Sequence, residues 1–170
     1  MKTVGKNIAN SCIHIFAMRK TDQDIENKLR WKAARYHLPT SFSFYWKDLP
    51  TDRQSDVASR IDVTTSGEPV LIFTTAAGKW TLICTRQVIG FDGQVLETVN
   101  LTEMRQIMPH GIPPLGDQPK APQLTINKAE WNQLVITSSG DTSRTLYAQP
   151  GPDFFALWNI LQMVRRLLNG

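Results

Sequence analysis

The sequence predicts an α+β fold: a seven-stranded antiparallel sheet closed by a C-terminal helix and preceded by an N-terminal helical extension. Three observations lead to it. Between Gly67 and Leu101, four β-branched and aromatic runs follow one another within about thirty residues, which leaves room for tight turns and none for helical crossovers. Three further short runs, Leu124–Asn127, Asn132–Ser138 and Arg144–Ala148, are spaced by turn-forming residues. The chain then closes on Pro152–Leu168, where Phe154, Leu157, Trp158, Leu161, Val164 and Leu168 fall on one helical stripe.

The 170 residues divide by texture into an extension, residues 1–66, and a sheet-bearing domain, residues 67–170. In the extension, Ile8, Cys12 and Ile15 fit one face of a short helix within residues 2–18. Thr21 is placed to cap a second helix from Asp22 to about His37, with Asp24 in its first turn and Pro39 beyond its end. Ile25, Leu29, Lys32, Ala33 and Tyr36 recur at helical spacing, and Trp31 is expected to dock this helix on the sheet while its charges face water. Ser41–Trp46 (SFSFYW) is expected to pack as an extra edge strand or a plug at the junction. Thr51 is placed to cap a short helix with Val57, Ala58 and Ile61 inward, and Asp62–Gly67 reads as a polar linker.

The first strand of the domain starts at Val70 and ends at the turn Thr75–Lys79. In the second, alternation puts Trp80, Leu82 and Cys84 on one face and Thr81, Ile83 and Thr85 on the other. Val88–Phe91 is the third. Asp92-Gly93 reads as a two-residue hairpin turn, because both residues tolerate positive φ, and Gln94–Leu101 is the fourth strand. Thr102–Met108 fits either a turn of helix or a bulged strand. Pro109–Pro122, rich in proline and glycine, reads as a long irregular loop.

Composition narrows the function classes. Cys12 and Cys84 are too few for a disulfide framework and lack zinc-site spacing, so both are expected to be reduced structural thiols in a cytoplasmic protein. No run approaches the apolar length of a membrane span, and the N-terminus lacks a secretory cleavage pattern. The net charge of +4 is carried by residues 1–66, with 11 Lys plus Arg against 7 Asp plus Glu. No nucleophile elbow, zinc-binding helix pattern, phosphate loop or dinucleotide fingerprint occurs, so no enzyme, cofactor or metal is expected. A hydrolase would need His14, His37 or His110 beside a carboxylate in a pocket, and Cys12 with His14 is read as a packed pair rather than a nucleophile and base.

The residues TLICTRQVIGFDG and the run FFALWNILQMV resemble the hairpin and capping helix of bacterial pleckstrin-homology-like (PH-like) domains. The resemblance covers about residues 68–168. It implies a bent sheet or partly open barrel capped by the last helix, and it implies binding rather than catalysis. Family members that bind phosphoinositides use basic residues around the first hairpin. Here the turn Thr75–Lys79 carries only Lys79, with Arg86 the nearest other cation, so recognition of a protein or peptide is expected instead. An inhibitor or immunity-type protein fits the size. The residues expected to meet the partner are Trp31, Arg35, Tyr36, Phe44, Tyr45, Trp46 and His110. The alternative is a nucleic-acid or anionic-membrane binder acting through Lys28, Arg30, Trp31, Lys32 and Arg35, where basic and aromatic residues interleave.

Overall fold

The computed structural model describes residues 20–112 and 127–169. Its α+β architecture has two antiparallel sheets. One has five strands in the order β1-β2-β3-β4-β5, namely Ser43–Tyr45, Pro69–Thr74, Trp80–Cys84, Gln87–Phe91 and Leu96–Asn100. The other has three, β6-β7-β8, spanning Met104–Pro109, Gln133–Ser138 and Ser143–Tyr147. Helices α1 (Asp22–Arg35), α2 (Thr51–Ala58), α3 (Val63–Ser66) and α4 (Pro152–Asn169) complete it. The expected single seven-stranded sheet is therefore corrected to two sheets, and they do not close into a barrel.

The split has a local cause. After β5 the chain makes a 3-10 turn, Leu101–Glu103, with Leu101 fully buried beneath it. This turn carries Met104 away from the edge of the first sheet, so the bulged segment pairs with β7 instead of β5, with Ile107 opposite Ile136. Leu124–Asn127 does not take the place assigned to it: 124–126 lie outside the described residues, and Asn127 caps a 3-10 turn. The expected short helix at residues 2–18 also lies outside them.

The first sheet is buried on both faces because its strands are apolar at successive positions, not only alternate ones. Leu71, Phe73, Ile83, Val88 and Val99 point into a core shared with α1, α4 and the three-stranded sheet. Ile72, Trp80, Leu82, Cys84 and Ile89 point the other way, onto Leu49 and Val57. The alternation read for β3 is thus borne out. The segment before Gly67 covers both faces and adds strand β1, whose Phe44 lies opposite Ile72. The two sheets meet closely where β8 crosses β4, and Gly90 makes room for this, since a Cβ there would strike the Thr145 carbonyl.

Local signals were mostly legible. Thr21 and Asp24 form a reciprocal capping box on α1, with the Asp24 N–H donating to Thr21 Oγ1 at 3.1 Å and the Thr21 N–H donating to Asp24 Oδ2 at 3.1 Å. Helix α4 begins at Pro152 and buries Phe154, Leu157, Ile160, Leu161 and Val164. Three local expectations are corrected. Thr51 is the first helical residue of α2, and Pro50, which has no capping side chain, occupies the cap. Asp62–Gly67 is not a plain linker, because Asp62 accepts a hydrogen bond from the Thr64 N–H and starts the short helix α3. The β4–β5 connection is four residues, with Phe91 opposite Leu96, because Asp92 Oδ1 accepts from the N–H groups of both Gln94 and Val95 at 2.7 Å and closes the loop itself.

Candidate binding face on helix α1

Helix α1 presents the core with Ile25, Leu29 and Ala33, one row at i, i+4 and i+8. Trp31 lies two residues from Leu29, about 200° around the helix axis, and so it cannot share that row. It is 51% exposed, the reverse of the docking role expected from its size. Two of its neighbours along the helix, at i−3 and i+4, are cations stacked on the indole. The Arg35 guanidinium lies 4.9 Å from the ring centroid and the Lys28 ammonium 5.9 Å. One turn further, the Lys32 ammonium lies 5.4 Å from the ring of half-buried Tyr36. Trp31 and Arg35 thereby share one outward surface with Lys28, whereas Tyr36 packs its ring partly against the core beneath α1 and carries Lys32 at the edge of that surface.

Arg30 belongs elsewhere. Its Nε donates to Glu26 Oε1 at 2.9 Å and its guanidinium covers Tyr45 at 5.2 Å, while Lys47 reaches the same Glu26 oxygen at 3.4 Å. Arg30, first among these cations, holds the Glu26 carboxyl below its usual range. This cluster fastens strand β1 to α1. The aromatic patch does not gather into one cluster: Phe44 and Trp46 pack on the second core and Tyr45 on the first, all half-buried. His110 is exposed, and its N–H continues the β6–β7 ladder to the Gln133 carbonyl at 2.9 Å. It directly follows β6 of the three-stranded sheet, whereas Trp31 and Arg35 belong to α1.

The cations near the first hairpin are already engaged. The Lys79 ammonium sits 4.8 Å from the Tyr147 ring. Arg86 lies at the far end of β3 and binds Asp22 through Nε and Nη2, the latter at 2.7 Å, with Nη1 donating to the Thr64 carbonyl at 3.3 Å. Among the described residues no two free cations converge at that turn.

Among the described residues, the open grooves of the surface include three of about 530–760 Å³. One of about 560 Å³ lies between α2 and the β2–β3 hairpin, floored by Ile72, Trp80 and Phe91. A second, of about 760 Å³, surrounds the Asp22–Arg86 pair. The third, of about 530 Å³, lies at the C-terminal end of α4. His37 and His110 line none of the three, and among the described residues no group of three or more His, Cys, Asp or Glu could hold a metal ion. Cys12 and His14 lie outside the described residues. Among the described residues no helix is long and apolar enough to cross a membrane.

Sequence reasoning missed two features. Trp131, barely exposed, joins Phe154, Phe155 and Trp158 in an aromatic cluster with ring centroids 5.6–6.5 Å apart. It directly precedes a short run, and that position carries no periodic signal. The second is the arginine cluster at the end of α4, whose members lie sixty residues apart in sequence. No family model matches the chain, and no curated protein or solved structure matches it.

Proposed function

We propose that this protein is a non-catalytic binding module of PH-like type that docks an acidic protein or peptide on the outward face of α1. One observation carries the reading: Trp31, a residue type that anchors interfaces, is held half in solvent with cations stacked on it. A large exposed indole gains free energy when covered, and the adjoining charges of Lys28, Lys32 and Arg35 favour carboxylates around it. The PH-like type is supported by element order, since β2–β5 and β6–β8 together number seven antiparallel strands before the closing helix α4, with β1 as an addition.

Nucleic acid is the second reading, because Trp31 among cations also suits a base-stacking platform. Two cations already occupy the indole in place of a base, which favours the protein partner. The test is capture from the native host with wild-type protein and with Trp31→Ala, at low and high salt and after nuclease treatment. A stoichiometric protein partner that survives high salt and is lost with Trp31→Ala supports the proposal. Nucleic acid or lipid recovered only at low salt overturns it.

A further inference from the structure

We propose that the groove at the C-terminal end of α4 is an anion site that takes a phosphate monoester. Its walls are the 3-10 turn before β6, the β7–β8 turn at Ser139 and the last turn of α4. Arg105, Arg165 and Arg166 line it together with a single carboxylate, Glu103. That leaves an excess of two positive charges, matching the charge of a phosphate monoester near neutral pH. Among the described residues none of the three guanidinium groups makes an ion pair, whereas Arg30, Arg60 and Arg86 each do.

Two of the three guanidinium groups are held in place without being used up. Arg165 Nη1 donates to the Arg105 carbonyl at 2.8 Å, and Arg166 Nε donates to the Gln162 carbonyl at 3.3 Å. Asn169 Nδ2 ties the helix end to the Met104 carbonyl at 3.0 Å. Arg165 Nε is buried beside the groove and has no hydrogen-bond partner among the described residues. Thr102 and Ser139 add hydroxyl groups to the lining. The simplest competing account is that cations collect at a helix C-terminus to complement its dipole. It covers Arg165 and Arg166 but not Arg105, which comes from a strand of the neighbouring sheet. This site is separate from the α1 face, and each stands or falls alone.

The test is an NMR titration of the full chain, observing arginine Nε–H signals, with inorganic phosphate, glycerol 3-phosphate, and sodium chloride at matched ionic strength. Saturable shifts of Arg105, Arg165 and Arg166 with the phosphate compounds but not chloride support the site. Arg105→Gln and Arg166→Gln each remove one exposed guanidinium and are expected to weaken binding by about tenfold. Unchanged affinity in both variants overturns the proposal, as do shifts that chloride reproduces. Flotation with phosphatidylcholine vesicles, with and without phosphatidic acid, separates the sources. Flotation without binding of glycerol 3-phosphate assigns the site to a lipid headgroup, and the converse assigns it to a free ester. Failure of both overturns the site.

Discussion

Arg86 reaches back from the β3–β4 turn to grip Asp22 at the start of α1 through Nε and Nη2, the shortest contact being 2.7 Å. The pair joins residues 64 positions apart, and the same guanidinium also donates to the Thr64 carbonyl beside α3. It pins three elements at one corner of the five-stranded sheet.

This pair gives a pH signature. The Arg86 guanidinium holds the Asp22 carboxyl below its usual range. A depressed folded value means the contribution is present above the unfolded aspartate range and is lost as pH falls through the folded value. Because both side chains are substantially exposed, at 56% and 36%, solvent screens them. Asp22→Asn is therefore expected to lower Tm at neutral pH by only about 1–3 °C. The gap should close as the pH is taken below about 4 and should shrink with salt. A gap that stays constant across both titrations would remove the ion pair as its cause.

The close crossing of β4 and β8 predicts a larger effect from a smaller change. Gly90→Ala puts a methyl group against the Thr145 carbonyl, which is backbone and cannot swing aside. The expected loss is about 1–3 kcal/mol in urea unfolding. Gly140→Ala, where a Cβ meets nothing within 4 Å, is the control and should change stability little. Equal effects of the two would mean that β8 does not press on Gly90.

Cys84 is expected to be chemically silent. Burial pushes its thiol up to about 12, so almost no thiolate exists at neutral pH, and it sits in the second core with Trp80 and Leu82. Iodoacetamide treatment of the native protein followed by peptide mass mapping should leave Cys84 unmodified, and labelling should appear only when urea unfolds the chain. Rapid native labelling of Cys84 would show that this core opens under native conditions.

What the sequence made legible was short-range. Thr21 with Asp24, the alternation of Trp80, Leu82 and Cys84, and the stripe of α4 each lie within a turn or two of chain, where periodicity and capping act. The division into two sheets was not legible, because it depends on whether Met104 pairs with β5 or with β7, a choice made by tertiary contacts of Leu101 and Ile107. Trp31 shows the same limit at the candidate site. Its size argued for burial, but the row Ile25–Leu29–Ala33 already filled the helix's inward face, and a rotation of two residues left the indole outside. Arg105 and Arg165 could not be associated from sequence at all, since only the packing of α4 on β6 joins them.

The exposure of Trp31 can be checked without knowing any partner. Of the five tryptophans, Trp80 and Trp131 are buried, Trp46 and Trp158 half-buried, and Trp31 alone is 51% exposed. Its neighbours Lys28 and Arg35 attract anions, so iodide should concentrate around the indole while caesium should be repelled. Iodide is therefore expected to quench a fraction of the native fluorescence that caesium quenches less, and Trp31→Phe should abolish most of that difference. The variant should unfold within about 0.5 kcal/mol of wild type, as substitutions on an exposed surface do. If iodide and caesium quench alike, or if the difference survives in Trp31→Phe, the cations do not surround the indole, and the proposed binding face loses the observation that carries it.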